Sequence, residues 1–281
     1  MIRLLGIQAG QRVLVTGASG LVGSRIGPRL RERYELVALD KTASGAGDLS
    51  IHAADLTDYD QVRDVVDNVD AVVHLAIASE RELRHLEEHA YAAEEISVNV
   101  LGTRNVFEAS AAAGVRRVVF LSSLTVYFNQ PIPPCVTPET LLQPRSHYSV
   151  TKLYGEQLAW LYATQEKFSS VCWRLGQPYP VDHFQRKHLE DPSMRSCAVS
   201  TEDIARGIGA GLEASLPEDG RGSLHTGLRA TPGHAIANLV SASDAGPEFS
   251  FDLTSGNALG YFPGDRFTAG GPIPIGPEPA A

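Results

Sequence analysis

The chain has 281 residues, 43% of them hydrophobic, which is enough to bury a substantial core. A net charge of −9 argues against a nucleic-acid surface, which needs clustered basic residues to meet phosphates. Three scattered cysteines argue against a disulfide framework or a metal site and fit a reducing cytoplasm. No apolar run reaches the length of a membrane span or a signal peptide, so we expect no membrane partner. The cysteines do not have the spacing of metal ligands, so we expect no metal either.

The first predicted elements are a strand, a glycine loop and a helix. An apolar run at residues 12–16 is followed by Gly17, Gly20 and Gly23 and then by a helical pattern. In a phosphate-binding loop, the first glycine takes a tight turn, the second admits a pyrophosphate, and the third lets the helix pack on the strand. The free amides at the start of the helix face the phosphates. The alternative is an ordinary glycine-rich turn between a strand and a helix.

A second strand, residues 35–39, ends in Asp40, about twenty residues beyond the glycine loop. A carboxylate at this position accepts hydrogen bonds from both ribose hydroxyls and repels a 2′-phosphate, so it favours NAD over NADP. Lys41 is a neighbouring cation that can help to hold a 2′-phosphate. The sequence therefore predicts NAD and leaves NADP as the less favoured cofactor.

Further apolar runs at residues 71–75, 117–121 and 170–173 alternate with helical patterns. This alternation predicts a parallel sheet with helices on both faces, a Rossmann-type doubly wound α/β fold. The pair Arg116-Arg117 is predicted to lie in a solvated turn before a strand. Residues 80–95 are highly charged, which predicts a solvated helical insertion.

The reactive groups are predicted at Tyr148 and Lys152, four residues apart on one helix face, with Ser123 upstream. Nine tyrosines and four lysines would give about 0.1 such pairs by chance. An ammonium close to a phenol favours the ionised phenol. Bringing a tyrosine pKa from about 10 to neutrality needs roughly 4 kcal/mol, which we expect from Lys152 and a bound cationic nicotinamide.

The chain resembles the extended, NAD-dependent epimerase/dehydratase branch of the short-chain dehydrogenase/reductase superfamily over most of residues 11–215. The segments that carry the resemblance are Thr16 to Gly23, Asp55-Leu56, His74-Leu75-Ala76, Asn99 to Val106, Ser123 to Tyr127, and Tyr148 with Lys152. The resemblance implies that Tyr148 exchanges a proton with the substrate hydroxyl, that Lys152 tunes it and binds the nicotinamide ribose, and that Ser123 orients the reacting oxygen.

The same resemblance implies where the small molecules bind. Cofactor contacts are expected from Gly17, Ser19, Gly20, Leu21, Val22, Gly23, Asp40, Asp55, Leu56, Leu75, Ala76, Asn99, Tyr148 and Lys152. Substrate contacts are expected from Ser123, Thr125 and Arg195. We assign Asn99 no chemical step, because a buried asparagine more often satisfies neighbouring backbone groups than relays protons.

The predicted organisation has three parts. Residues 1–174 form the NAD-binding domain, and residues 175–265 form a small substrate-binding part that does not fold independently. Within that part Asp203 is expected to be structural. Residues 266–281, rich in glycine and proline, form a flexible tail. About a hundred residues follow Arg174, fewer than nucleotide-sugar enzymes of this family generally use, which favours a smaller substrate.

Three functions are compatible with these motifs. The first is an NAD-dependent dehydrogenase that oxidises a secondary or anomeric hydroxyl of a sugar, sugar acid or similar polyol. The second is a nucleotide-sugar epimerase with a transient ketone, which the run from Ser123 to Tyr127 favours. The third is a non-catalytic NAD sensor, which the intact tyrosine, lysine and serine disfavour. By family resemblance, the helices after Leu101 and Tyr148 are also expected to form a homodimer interface.

Overall fold

A computed structural model describes residues 5–42, 50–78, 83–128, 133–216 and 232–275. Its main strands are β1 (Arg12–Thr16), β2 (Glu35–Asp40), β3 (Ile51–Ala53), β4 (Ala71–His74), β5 (Arg117–Ser123), β6 (Cys135–Val136), β7 (Ser169–Leu175), β8 (Gln177–Tyr179), β9 (Ala198–Ser200), β10 (His234–Leu239), β11 (Ala242–Ser243), β12 (Ser250–Phe251), β13 (Asp265–Thr268) and β14 (Gly271–Pro274). The α-helices are α1 (Gly23–Arg31), α2 (Tyr59–Val66), α3 (Glu88–Ile96), α4 (Thr103–Ala113), α5 (His147–Thr164), α6 (Pro192–Ser196), α7 (Thr201–Glu213) and α8 (Thr254–Ala258).

Seven strands form a parallel sheet in the order β10-β7-β5-β4-β1-β2-β3, which confirms the predicted Rossmann-type α/β fold. The chain runs from β1 outward through β2 and β3, then returns to place β4 on the other side of β1. The strand order therefore reverses between β1 and β4. In open parallel sheets, ligands bind in the crevice outside the carboxyl ends of the strands at such a reversal.

Alternate residues of the central strands feed two cores, one on each face of the sheet. Val13 and Val15 of β1 pack with α1 and α7, whereas Leu14 between them packs with α2 and α4. Both faces are therefore covered by helices, and the strands read as continuous apolar runs because both sides are buried. No helix among the described residues is long and apolar enough to cross a bilayer.

The chain after residue 174 returns to the main sheet through β10, which pairs with β7, and also forms small sheets of its own. Asp203, at the start of α7, is fully buried, and it accepts hydrogen bonds from Ser241 Oγ and from the amides of Gly264 and Asp265. These contacts tie α7 to the C-terminal loops. The predicted NAD-binding and substrate-binding parts both contribute strands to the main sheet, through β7 and β10. The division of the chain at residue 174 therefore stays a prediction.

Two local expectations differ from the structure. Arg117 is not in a solvated turn: it is buried, and its guanidinium donates to Ser169 Oγ at 2.8 Å and to the Gly211 and Ala214 carbonyls at 2.6 and 2.9 Å. These acceptors lie in the strand and helix packed against β5, and burial lowers the arginine pKa to about 10. The expected flexible tail begins with the antiparallel pair β13 and β14, closed by Gly271 at φ +117°.

The charged stretch after β4 contains α3, which is followed by a π-helical turn at Ser97–Gly102 that leads directly into α4. Such a turn inside a longer helix is often found at functional sites. Residues 79–82 of the predicted insertion and 276–281 of the predicted tail lie outside the described residues.

Candidate active site

The glycine loop between β1 and α1 is closely packed against β4. Gly17 has φ +72°, and a Cβ there would lie 2.8 Å from the Ala76 Cα, so only glycine fits. A Cβ on Gly23 would lie 2.2 Å from the Gly17 carbonyl oxygen, and one on Gly20 would lie 3.2 Å from the same oxygen. The loop therefore brings its backbone to the surface without side chains in the way, as an approaching pyrophosphate requires.

Helix α1 begins without a side-chain cap: its N-cap residue is Val22, next to Leu21. The amides of Ser24, Arg25 and Ile26 already donate to the Gly20 and Val22 carbonyls. An anion at this end of the helix would therefore be favoured by the helix dipole and met by the amides just before the first turn. Asp40, at the end of β2, accepts a hydrogen bond from the Ser19 amide at 2.9 Å. The Asp40 carboxylate thus lies next to the glycine loop, where it could accept hydrogen bonds from the ribose of a bound dinucleotide.

The next predicted contacts, Asp55 and Leu56, follow β3. Asp55 Oδ1 accepts hydrogen bonds from the Thr57 amide and hydroxyl, at 2.9 and 2.8 Å, which hold its pKa below the usual range. Leu56 is buried, and its carbonyl accepts from Asn105 Nδ2 at 2.9 Å. An apolar side chain beside a fixed carboxylate suits the adenine end of a dinucleotide.

Together, the closely packed glycine loop, the helix without a side-chain cap and the carboxylate at the end of β2 fit NAD. The loop and α1 would hold the pyrophosphate, Asp40 the adenosine ribose, and Asp55 with Leu56 the adenine. When bound, NAD supplies the acceptor for a hydride.

A buried polar chain supports the loop from β4. His74 Nδ1 lies 2.7 Å from Thr16 Oγ1, and its Nε2 lies 3.0 Å from Thr103 Oγ1. Leu75 and Ala76 then bond through their amides to the Thr16 carbonyl and hydroxyl, at 3.3 and 3.4 Å. The cofactor contacts predicted at the end of β4 therefore lie against the glycine loop.

We expect His74 to make the protein acid-sensitive. Burial, and next the charge of Lys152, lower the His74 pKa to about 3, so the folded state keeps the ring neutral while an unfolded histidine takes up a proton near pH 6.5. Stability from this group is complete above about pH 6.5 and is lost as the pH falls toward about 3, by about 1.4 kcal/mol per pH unit. Urea unfolding at about pH 7 and about pH 5 should show a smaller loss for His74→Gln than for the wild type. Equal losses would contradict the assignment.

Asn99 lies in the π-helical turn and joins three elements. Its Oδ1 accepts from the Ala78 amide at 2.7 Å, and its Nδ2 donates to Thr151 Oγ1 at 3.2 Å. The side chain thus holds the chain after β4 against α5. Its predicted direct contact with the cofactor remains a prediction.

The three predicted reactive residues converge at the carboxyl end of β5. Ser123 ends that strand, and its Oγ accepts from the Thr125 amide and hydroxyl, at 3.2 and 3.1 Å. This leaves the serine proton for Tyr148, whose pKa the Ser123 side chain acts to lower. Tyr148 stands in the first turn of α5, which is capped by Ser146. The structure therefore brings Ser123, Thr125 and Tyr148 into one hydroxyl chain.

Lys152 reaches the same place one helical turn later. It is buried, its Nζ donates to the Leu121 carbonyl at 2.7 Å, and it lies 5.7 Å from the centre of the Tyr148 ring. It also stands 4.9 Å from the centre of the Phe120 ring. The remaining ammonium protons are available to the hydroxyls of a ribose.

The acidities differ from the sequence-based expectation. Burial raises the Tyr148 pKa to about 12, with the Ser123 hydrogen bond acting in the lowering direction. Burial also lowers the Lys152 pKa to about 7, with Glu156 opposing. Lys152 bonds to the Leu121 carbonyl, so in this structure its charge does not bring the phenol toward neutrality. A bound cationic nicotinamide must supply more of that effect than the sequence suggested.

Sequence reasoning missed the ionic cluster behind the site. Glu156, one turn after Lys152, is fully buried and pairs with Arg174, at 2.9 Å from Nε and 2.8 Å from Nη2. Ser122 Oγ donates to Glu156 at 2.6 Å, and Tyr127 Oη contacts the Arg174 Nη1 at 2.6 Å. The i, i+4 spacing of Lys152 and Glu156 was the only signal in the sequence. The cluster anchors α5 to β5 and β7.

Arg195, predicted to contact substrate, lies in α6 and is largely buried. Its Nη1 donates to the Leu189 carbonyl, and its Nε lies 2.6 Å from an Asp244 carboxylate oxygen. The charge of this arginine is thus balanced within the protein. Its contact with substrate remains a prediction.

This fold and site define a Rossmann-type NAD-dependent oxidoreductase with a Ser, Tyr and Lys reactive group. The sequence model of the NAD dependent epimerase/dehydratase family matches residues 13–196. The chain belongs to that family, and it is an enzyme of the short-chain dehydrogenase/reductase kind, as its motifs predicted.

Individual relatives span nearly the whole chain. L-arabinose 1-dehydrogenase (NAD(P)(+)) of Haloferax volcanii is 29% identical over 272 residues, covering 91% of this chain and 97% of the relative. Uronate dehydrogenase of Pseudomonas putida is 28% identical over 276 residues, covering 96% and 90%. Among solved structures, a mutated uronate dehydrogenase is 29% identical with a TM-score of 0.69, covering 91% of this chain and 82% of its own. A variant of the Agrobacterium tumefaciens uronate dehydrogenase, complexed with NAD, has 25% identity and a TM-score of 0.68, covering 92% and 86%.

Proposed function

We propose that this enzyme oxidises a secondary or anomeric hydroxyl of a free sugar, sugar acid or similar polyol and releases NADH. The observation that carries the proposal is the convergence of Ser123, Tyr148 and Lys152 at the carboxyl end of β5, on the same edge of the sheet as the glycine loop. The dehydrogenases of arabinose and uronate among its relatives support a sugar-like substrate, and the arabinose enzyme, a 1-dehydrogenase, favours the anomeric hydroxyl.

In this proposal the protein takes the proton of the substrate hydroxyl and positions the carbon that is oxidised. The substrate hydroxyl bonds to Ser123 and Tyr148, and the phenolate of Tyr148 accepts the hydroxyl proton as the hydride leaves the carbon. Thr125 donates to Ser123 and so aims the serine proton at the reacting oxygen. Lys152 would hold the ribose of a bound nicotinamide, whose positive charge favours the phenolate. Orientation then contributes much of the rate, because the reacting atoms are held together.

The test is to incubate the purified protein with NAD and a panel of free sugars, sugar acids and nucleotide sugars. We expect NADH to accumulate in proportion to oxidised sugar, measured by absorbance and chromatography of the products. The contrary result is conversion of a nucleotide sugar to its epimer without net NADH, which would support the epimerase function instead. UDP-glucose 4-epimerase of Mycolicibacterium smegmatis matches only 52% of this chain, at 33% identity.

The preference for NAD over NADP is expected to depend on Asp40. Replacing Asp40 with Ser removes the repulsion of a 2′-phosphate and the ribose hydrogen bonds, so the ratio of kcat/KM for NAD to that for NADP should fall about 100-fold. The matched control is Asp67→Ser, an exposed carboxylate where α2 ends, which should leave the ratio unchanged. An unaltered ratio in the Asp40 variant would contradict the assigned ribose contact.

Two further features are part of the proposal. A homodimer through the helices after Leu101 and Tyr148 is supported by the exposed apolar side chains of Leu101, Val150 and Leu161. A reducing, cytoplasmic location is supported by three cysteines that are all free thiols. Light scattering of the purified protein tests the dimer directly, and a monomer mass would contradict it.

A further inference from the structure

Glu95, in the last turn of α3, is a largely buried residue whose charge acts on the reactive Tyr148. Only 6% of its surface is exposed, whereas its neighbour Glu94 is exposed to solvent. Burying a carboxylate costs free energy unless a partner or ligand offsets the loss of water. Neither the proton transfer nor the cofactor contacts described above use this group.

The direction in which Glu95 points follows from the way α3 and its π-helical extension pack on α5. Both helices leave the carboxyl edge of the same parallel sheet and return to its amino edge, so they run in the same direction. Asn99 contacts Thr151, and one turn earlier on each helix stand Glu95 and His147, with Tyr148 next along the chain. Glu95 therefore faces the first turn of α5, where the substrate hydroxyl meets Tyr148.

The electrostatic effects agree with this placement. The charge of Glu95 acts to raise the pKa of Tyr148, after the larger effect of burial. Burial raises the pKa of Glu95 itself, with His147 opposing that rise. The carboxylate is thus close enough to both first-turn residues of α5 for their charges to interact.

The cation predicted on the substrate side does not offset this acid. Arg195 is already paired with Asp244, at 2.6 Å, and bonded to the Leu189 carbonyl. The segment that carries Arg195 lies near the site. The Cys197 carbonyl accepts a hydrogen bond from the Gln177 amide at 2.7 Å. Gln177 stands two residues after Leu175, which is the residue that pairs with Ser123 in the sheet. A largely buried acid thus acts on Tyr148, while the Arg195 guanidinium is paired within the protein.

We propose that Glu95 is a specificity-determining residue that selects neutral sugars and disfavours sugars carrying a carboxylate. A carboxylate accepts hydrogen bonds from the hydroxyls next to the oxidised carbon, and it repels a second negative charge in the same pocket. This inference rests on the proposed function and narrows its substrate class. It sets the chain apart from the uronate dehydrogenases that it resembles.

The test compares two pairs of substrates, D-galactose with D-galacturonate and D-glucose with D-glucuronate, because each pair differs only at the last carbon. We measure kcat/KM with NAD for the wild type, for Glu95→Gln, which keeps the shape without the charge, and for the control Glu94→Gln. The wild type should prefer the neutral member of each pair. Glu95→Gln should shift the ratio toward the acid by about tenfold or more, and Glu94→Gln should leave it unchanged.

The outcomes separate the two claims. Preference of the wild type for the uronates would overturn the role of Glu95 and leave the sugar dehydrogenase standing. The wild-type ratio needs no variant, so the inference can fail even when Glu95→Gln does not fold. A folded Glu95→Gln that changes the ratio by less than about twofold would also overturn it. Absence of NADH with every sugar would overturn the proposed function and the inference with it.

Discussion

Replacing Tyr148 with Phe is expected to lower kcat about 1000-fold while leaving NAD affinity nearly unchanged. In the proposed function the Tyr148 phenol takes the proton of the substrate hydroxyl, and the Ser123 side chain acts to lower the pKa of that phenol. Phenylalanine keeps the ring and its packing at the start of α5. The loss should therefore appear in turnover, measured as NADH formation, and not in cofactor binding, measured by calorimetry.

The matched control for this variant is Tyr154→Phe, on the same helix and also partly buried. It removes a phenol hydroxyl without touching the site, so its turnover should stay within about twofold of the wild type. Full activity in Tyr148→Phe would contradict the assigned proton acceptor. Equal losses of turnover in both variants would mean that the substitutions disturb the helix, and that the Tyr148 hydroxyl has no specific role.

Replacing Glu156 with Gln is expected to destabilise the fold by about 3–5 kcal/mol. The carboxylate and the Arg174 guanidinium are both fully buried, with 2.8 Å between Oε2 and Nη2, so removing one charge leaves the other without its counter-ion. The double change Glu156→Gln with Arg174→Gln should recover part of the loss, because no unpaired charge remains. Urea unfolding monitored by circular dichroism measures both values.

The exposed pair Arg63 and Asp60 provides the control for the buried one. These side chains are 51% and 74% exposed, and Asp60→Asn should change the unfolding free energy by less than about 1 kcal/mol. A loss in Glu156→Gln no larger than that of Asp60→Asn would contradict the anchoring role of the buried cluster.

The sequence predicted those parts of the structure that depend on local chemistry. At Gly17 and Gly23 glycine is a steric requirement, because a Cβ there would lie within 3.0 Å of backbone atoms, and at Gly20 a Cβ would make a tight contact of 3.2 Å. The pattern is therefore readable without the fold. The strands of the sheet centre were predicted because burial on both faces makes them continuous apolar runs. The i, i+4 pair of Tyr148 and Lys152 is likewise a local signal.

Long-range contacts were not predictable in this way. Arg117 is a charged residue in a strand, and only the distant carbonyls of Gly211 and Ala214 make its burial possible. The strand β10 lies sixty residues beyond β7 and carries polar side chains such as His234 and Asn238, which pair with groups far away in the chain. The pKa values of Tyr148 and Lys152 depend on burial, which the i, i+4 spacing does not report.

The most direct test of the central claim is a deuterium transfer experiment. The wild-type enzyme is given NAD and a sugar that it oxidises, deuterated at the carbon that is oxidised, and the mass of the NADH is measured together with the oxidised sugar. If the site performs the proposed oxidation, each sugar oxidised yields one NADH carrying one deuterium. NADH without deuterium, or an epimerised sugar with no net NADH, would contradict the account.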